Sequence, residues 1–250
     1  MKITSESPKD WKELQNFVCR YLNESGYKAE SPKTIKVVRG EVEVDVYATA
    51  KNELIKMFLC ECKNWNTPVP KEKVHAFRSV VADSGATVGI LISKSGFQKG
   101  AIEAAYCSNV LLRDWDGFIE LIKNQWIHHR LLYLKHLVQP LSVYIDPLDV
   151  DIDSYDEELK EKYLITLKKC FNEYMVGNNL NYGMLTKESI SVGDRSFYYM
   201  NDFFKYMEKI FEEAISEFSI LLPNVDEYKF DSGGYTLFSM LEDYYYERYL

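Results

Sequence analysis

The sequence predicts an α/β fold for its first half, an α/β/α sandwich around a central mixed sheet, followed by an α-helical C-terminal domain. The first predicted strands follow one another directly, which indicates antiparallel pairing. The later strands alternate with helices, which indicates parallel strands joined by crossover connections. A change in charge separates the halves. Residues 1–140 carry 20 Lys and Arg against 16 Asp and Glu, whereas residues 141–250 carry 10 against 22. Domains are therefore predicted at residues 1–138 and 139–250.

The first elements are predicted to be a helix and an antiparallel meander. Ser7-Pro8 has the residue types of an N-cap and a first helical position, and Gly26 ends the apolar helical period. The segment 35–63 is then expected to form a meander. Its strands are predicted at residues 34–38, 42–47 and 54–63, with a turn at Asn52-Glu53.

Helices and strands alternate after this meander. Residues 70–83 are predicted to be helical, and residues 86–93 form a nearly continuous apolar run, which is typical of a strand buried on both faces. A short alanine-rich helix is expected at residues 98–107 and a further strand at 110–112. One or two helices are predicted over residues 118–137.

The second half differs in composition, since it holds 22 of the 36 aromatic residues. Ser154 and Glu157 have the spacing of a capping box, which predicts a helix that ends at Gly177. Two more amphipathic helices are predicted at residues 203–222 and 237–250. These patterns predict an acidic, aromatic-rich helical accessory domain.

Several classes of protein are excluded by composition. No run approaches the roughly 18–20 apolar residues of a membrane span, and residues 1–10 lack the apolar region of a secretory signal. The five cysteines show neither a CxxC pair nor zinc-site spacing, which indicates reduced thiols. We therefore expect a cytoplasmic protein without membrane contact.

Asp45 and the run Glu61-Cys62-Lys63 form the candidate site. Phosphodiester hydrolysis needs an activated water and a stabilised pentavalent dianion, and Mg²⁺, or Mn²⁺ in its place, serves both needs through hard oxygen ligands. Asp45, Glu61 and the Cys62 carbonyl can supply such ligands, with Glu43 as a second choice. A strand places Glu61 and Lys63 on one face, about 6–7 Å apart, so the ammonium can orient the water or offset phosphate charge.

The first helix could contribute Glu13, at the edge of its apolar stripe, as an outer carboxylate. The bare motif could instead be an exposed cross-strand ion pair. Two features favour a site. Acidic residues are depleted in strands, yet Asp45 and Glu61 lie in strand-like segments, and Lys63 ends an apolar run where an unpaired charge is costly.

Taken in order, these segments resemble the Mrr-like branch of the restriction endonuclease-like, PD-(D/E)xK nucleases. The resemblance covers about residues 7–125 and rests on the Glu13 helix, Gly40 to Val46, Glu61 to Trp65, the helix 74–83, the strand 89–93, and the Ser95-Gly96-Phe97 turn with Gly100-Ala101. It implies an α/β/α core, Mg²⁺ dependence and DNA cleavage. It also implies metal ligands at Asp45 and Glu61, a catalytic Lys63 and a supporting Glu13. A Gln often stands at the Glu61 position in this branch, and the Glu here keeps full ligand charge.

Basic residues around the site are the candidate phosphate contacts: Lys71, Lys73, Arg78, Lys94 and Lys99. Trp65 could stack on a base, and covering the edge of the sheet is an equally good interpretation.

The prediction is a Mg²⁺-dependent endodeoxyribonuclease, with restriction or anti-phage defence and a homo-oligomer implied by the resemblance. One alternative is a non-catalytic scaffold or interaction subunit of a larger defence complex, and another is a nuclease acting on RNA or branched DNA. For residues 139–250 three roles stay open: binding of a protein partner or a second copy, a negative surface that restrains the nuclease, and a small-molecule sensor.

Overall fold

A computed structural model of the protein describes residues 1–50, 56–145 and 150–223. The chain divides into two compact units, one spanning Glu6–His129 and the other combining Met1–Ser5 with the residues from Arg130 onward. The turn predicted at Asn52-Glu53, the first residues of the strand predicted at 54–63, and the helix predicted at 237–250 fall outside the described residues.

The unit Glu6–His129 is built on a five-stranded mixed sheet. The strands of this unit are β1 (Lys28–Glu30), β2 (Lys33–Val37), β3 (Gly40–Val44), β4 (Val46–Thr49), β5 (Met57–Lys63), β6 (Val88–Ser93) and β7 (Val110–Arg113). The sheet has the order β1-β4-β5-β6-β7, antiparallel from β1 to β5 and parallel from β5 to β7. The predicted central mixed sheet is confirmed.

Helices cover this sheet. They are α1 (Trp11–Glu24), α2 (Lys71–Ser84), α3 (Lys99–Tyr106) and the first part of α4 (Trp115–Ile145), a single helix that includes Pro140. Period-two alternation places Leu59 of β5 in the core beneath α2, with Val74 and Phe77. The next residue, Cys60, is buried on the opposite face, and α1 also contacts β5. Trp126 of α4 packs near Tyr21 of α1, with ring centroids 6.4 Å apart.

The start of α1 differs from the prediction. Asp10, and not Ser7, is the N-cap, and its side chain accepts a hydrogen bond from the Glu13 amide at 2.8 Å. A carboxylate three residues before a free N–H satisfies one of the unpaired donors of the first turn. The helix therefore begins after Asp10, and the Ser7-Pro8 start was wrong.

The predicted meander over residues 35–63 keeps its antiparallel pairings but is divided between two sheets. The chain bends at Asp45, so the expected strand 42–47 becomes two strands in different sheets. Residues of β3 pair with β2 as a separate antiparallel hairpin, from Val44 opposite Lys33 to Gly40 opposite Val37. Beyond the bend, β4 pairs with β1 and β5. The short β1 was not predicted.

The second unit is mainly helical, as predicted. It contains α5 (Glu157–Asn179), the short α6 (Tyr182–Leu185), α7 (Met200–Leu221) and a hairpin of β8 (Ile190–Val192) and β9 (Arg195–Phe197) that was not predicted. Tyr144, Tyr163 and Phe218 are buried together, with the Tyr144 and Phe218 rings stacked at 5.3 Å. The N-cap of α5 is Asp156, which accepts from the Leu159 amide, so the predicted capping box at Ser154 was wrong.

The first residues of the chain pack within this second unit. Ile3 is buried, and its carbonyl accepts a hydrogen bond from the Asn201 amide at 2.8 Å at the start of α7. The Lys2 carbonyl accepts from the Met200 amide at 3.0 Å. Over the described parts of the chain, no helix has both the length and the apolar character that a membrane crossing needs.

Candidate active site

Asp45 lies at the bend where the β2–β3 hairpin ends and β4 begins. Its two carboxylate oxygens have different partners: Gln15 Nε2 donates to Oδ1 at 2.5 Å, and the Cys62 amide donates to Oδ2 at 2.7 Å. Hydrogen bonds from two directions fix the orientation of the carboxylate. The bend therefore places Asp45 beside the end of β5.

Glu61 and Lys63 lie on the same face of β5. Their side chains form an ion pair between Lys63 Nζ and Glu61 Oε1, and both are largely buried, with 18% and 25% of the Lys63 and Glu61 side chains exposed. Burial raises the pKa of Glu61, and the nearby Asp45 carboxylate raises it further, while Lys63 opposes both effects. Two carboxylates and one ammonium thus share this site, and a further cation would relieve their repulsion.

Cys62 contributes its backbone to this site. Its side chain is buried, and burial raises the pKa of the thiol, so it stays protonated and unsuited to bind metal. In a strand the N–H and the carbonyl of one residue point toward the same edge. Because the Cys62 N–H meets Asp45, the Cys62 carbonyl also faces the side of Asp45, where a metal ligand was predicted.

Gln15 is the site residue that sequence reasoning missed. It is 5% exposed, and its Oε1 is buried without a hydrogen-bond partner among the described residues. A signal was present, because Gln15 interrupts the apolar stripe of Leu14, Val18 and Leu22 on α1. A polar residue at a helical core position needs a partner, and here that partner is Asp45.

The structure gives Glu13 and Glu43 other surroundings. Glu13 Oε2 accepts a hydrogen bond from the Lys9 amide at 2.8 Å, so this side chain helps to cap α1. Glu43 is exposed on the β2–β3 hairpin opposite Thr34. Within the described segments, no three His, Cys, Asp or Glu side chains are placed to hold a metal ion. The candidate protein ligands are therefore two carboxylates and one carbonyl, which is enough for Mg²⁺ because it keeps several waters.

Trp65 lies close to two of the lysines at the site. Lys63 Nζ is 5.7 Å and Lys73 Nζ is 6.0 Å from the centre of its ring. The Trp65 carbonyl accepts from Ser95 Oγ at 2.6 Å, which fixes this turn after β5. With 37% of its surface exposed, the ring can still meet a ligand.

The other predicted phosphate contacts fall into two groups. Lys71, Lys94 and Lys99 are exposed, and Lys94 Nζ donates to Asn66 Oδ1 at 3.3 Å in the loop after β5. Arg78 is half-buried, and its Nη1 donates to the Ala104 carbonyl at 3.0 Å, which joins α2 to α3. This bond gives Arg78 a structural role and leaves only part of its guanidinium for phosphate.

The mixed sheet with its flanking helices fits a restriction endonuclease-like fold, and the candidate carboxylates and lysine lie where β4 begins and β5 ends. Residues 8–122 match the family model Mrr_cat, described as a restriction endonuclease. The matched segment includes α1, the whole five-stranded sheet and the candidate active site. Residues 8–122 are thus similar to an Mrr-like restriction endonuclease domain, and the resemblance predicted from sequence is confirmed.

Other comparisons add little. No curated protein matches the chain. A solved structure titled "Crystal Structure of Protein of Unknown Function AF1548" is similar over 85% of this chain and 98% of that chain, with 14% sequence identity and a TM-score of 0.39. A likeness at this level carries no argument about function.

Proposed function

We propose that this protein is a Mg²⁺-dependent endodeoxyribonuclease, which hydrolyses phosphodiester bonds of DNA. Its active site would be formed by Asp45, Glu61, Cys62 and Lys63. One observation carries the proposal. The hydrogen bond between the Asp45 carboxylate and the Cys62 amide joins two distant segments of the chain beside the Glu61–Lys63 pair. This arrangement lies inside a domain of a nuclease family.

The residues present fit a divalent metal. Asp45, Glu61 and the Cys62 carbonyl would hold it, since all three offer hard oxygen atoms. Burial and the nearby Asp45 carboxylate raise the pKa of Glu61, so a cation there would stabilise the charged carboxylates. The Oε1 of Gln15 is buried without a hydrogen-bond partner among the described residues, and a metal-bound water could donate to it. When bound, Mg²⁺ supplies Lewis acidity and a more acidic water, and Mn²⁺ can replace it.

The side chains of the chain have distinct roles in this proposal. Gln15 and the Cys62 amide hold Asp45 in one orientation. Lys63, paired with Glu61 in the free protein, turns to the scissile phosphate, where its ammonium offsets negative charge in the transition state and orients the attacking water. Lys71, Lys73, Lys94 and Lys99 bind the flanking phosphates, and Trp65 contacts a base or sugar.

Wider roles follow from the same proposal. Cutting both strands of a duplex requires two active sites, so we expect a homo-oligomer. The resemblance to Mrr-like enzymes favours a role in restriction or anti-phage defence against foreign DNA. Residues 139–250 would then serve as an accessory domain that binds a protein partner or a second copy. Their acidic balance, 22 Asp and Glu against 10 Lys and Arg in residues 141–250, disfavours direct DNA contact.

A cleavage assay tests the activity. Wild type, Asp45→Ala and Lys63→Ala are compared on plasmid, linear duplex, single-stranded DNA and RNA, with Mg²⁺, Mn²⁺ or EDTA. We expect metal-dependent cleavage of DNA that falls at least about 100-fold in both variants, since each removes a charge needed in the transition state. Lys36→Ala, an exposed lysine on β2, is the matched control and keeps wild-type activity.

Three results would contradict the proposal. Cleavage that survives in Asp45→Ala would place the activity elsewhere. DNA binding without any cleavage would favour the non-catalytic scaffold, and cleavage of RNA alone would change the substrate class. Thermal unfolding of each variant separates loss of chemistry from loss of fold.

A further inference from the structure

A pocket of about 380 Å³ lies in the helical unit, between α5 and α7 and beside β9. Its volume falls in the range of roughly 300–1,000 Å³ found for small-molecule sites. Ile210 and Ala214 of α7 form an apolar part of the wall, and Lys169, Arg195 and Lys209 add cationic groups. All of these residues belong to the unit that includes Arg130 and the residues after it, whereas the candidate active-site residues belong to the unit Glu6–His129.

The charge of this pocket differs from that of its domain. Residues 141–250 contain only 10 Lys and Arg against 22 Asp and Glu, yet three of those cations line one pocket. Two of the three have acidic neighbours in the wall. Lys169 Nζ lies 2.9 Å from Glu217 Oε1, and Lys209 Nζ lies 3.7 Å from Glu213 Oε1.

Arg195 is the cation that remains unbalanced, because it forms no ion pair with the described residues. Its guanidinium lies over the ring of Tyr206, 4.8 Å from the ring centre. The Tyr206 hydroxyl donates to Glu173, a carboxylate that is only 7% exposed, so the ring beneath the guanidinium is anchored. Arg195 itself is exposed on β9, and a guanidinium presents paired N–H groups that match a phosphate.

We infer that this pocket binds a small organic phosphate, with the phosphate on Arg195 and the apolar body of the ligand against Ile210 and Ala214. Lys169 and Lys209 line the same pocket, but each has a glutamate beside it, so Arg195 carries the phosphate contact. The acidic surroundings disfavour a nucleic-acid chain, whose many phosphates would meet repulsion outside the pocket. A compact ligand with one anionic group avoids that repulsion.

Calorimetric titration of the full chain tests this inference. The probes are 5′-AMP, inorganic phosphate and adenosine, in EDTA so that metal-mediated binding at the active site does not contribute. We expect saturable binding of 5′-AMP, weaker binding of phosphate and none of adenosine. Arg195→Gln should weaken 5′-AMP binding at least about tenfold, as expected for loss of a charged hydrogen-bonding pair. Arg195→Lys keeps the positive charge but lacks the paired N–H groups of the guanidinium, so it should lose less affinity for 5′-AMP.

Lys168→Gln is the matched control for charge, because Lys168 is exposed on α5 and adjacent to a lysine of the pocket without lining it. It should bind 5′-AMP like wild type, and thermal unfolding checks that each variant is folded. Three results would overturn the inference: no saturable binding of 5′-AMP or phosphate, equal losses in Arg195→Gln and Lys168→Gln, or adenosine binding as tightly as 5′-AMP. The measurement does not depend on nuclease activity, so its result tests this inference separately from the proposed function.

Discussion

At the scale of single residues, Asp45 depends on a neighbour that carries no charge. Gln15 donates to one oxygen of Asp45 from a position that is 5% exposed. An amide can hold the carboxylate in place without the repulsion that a second carboxylate would add. Its unpartnered Oε1 also remains available to accept a hydrogen bond. Gln15 therefore orients Asp45, and in the proposed function it is a positioning residue for a metal ligand.

Replacing Gln15 should change metal use more than fold. We expect Gln15→Leu, which keeps the volume but removes the amide, to raise the Mg²⁺ concentration for half-maximal cleavage by about 10–100-fold, the usual effect of losing a group that orients a ligand. The measurement is a Mg²⁺ titration of plasmid cleavage. Asn16→Leu, on the exposed side of the same helix, is the control. An unchanged Mg²⁺ requirement in Gln15→Leu would show that Asp45 holds its position without this hydrogen bond.

At the scale of elements, the bend at Asp45 assembles the site. Residues 40–44 belong to one hairpin and residues 46–49 to the main sheet. Asp45 stands between them, free of either ladder, so its carboxylate can turn toward the Cys62 amide. The candidate site thus forms because residues 40–44 pair with β2 while residues 46–49 pair with β1 and β5.

The same bend explains how far sequence reasoning could reach. Local apolar periods predicted α2, α3 and β6 to within one or two residues, since a period depends on near neighbours. The alternation through Asp45 is uninterrupted, so nothing local predicted a break there. Pairing partners depend on residues far along the chain. For the same reason, Glu13 was predicted and Gln15 was missed, because the face of α1 that meets the site depends on how the helix packs on the sheet.

Packing between α2 and β6 can be tested at Gly89. A Cβ there would lie 2.5 Å from Val81 Cγ2 and 2.8 Å from Phe77 Cε1. We expect Gly89→Ala to lower the free energy of unfolding by about 1–3 kcal/mol through overpacking. Gly100→Ala is the control, because its Cβ would lie 3.4 Å from Lys71 Cδ, an ordinary contact. It should be neutral or stabilise α3 by up to about 1 kcal/mol. Denaturant unfolding measures the free energy of unfolding of both variants. A Gly89→Ala variant as stable as wild type would show that α2 can shift to accommodate the added methyl group.

At the scale of the whole molecule, the two units are not consecutive along the chain. Met1–Ser5 belongs with the residues from Arg130 onward, and Glu6–His129 forms the other unit. Ile3 is 1% exposed, and backbone hydrogen bonds join residues 2 and 3 to the start of α7. The helical unit therefore includes a segment that precedes the nuclease-like unit in sequence.

Ile3→Ala should weaken the helical unit selectively. Removing a fully buried isoleucine side chain costs about 2–5 kcal/mol, and the loss should appear as faster hydrogen exchange in α7, with β6 protected as in wild type. Ile102→Ala is the control, since Ile102 is 56% exposed on α3 and should change stability by less than about 0.5 kcal/mol. Equal loss of protection in α7 and β6 would show that the two units unfold together.

This arrangement fixes an order of events during synthesis. The residues of Glu6–His129 leave the ribosome as one uninterrupted stretch and can fold as soon as they emerge. Ile3 emerges before them, but its partner Asn201 is made roughly 200 residues later, about 10–40 s at common elongation rates. For that interval the Ile3 side chain has no partner from the helical unit against which to pack.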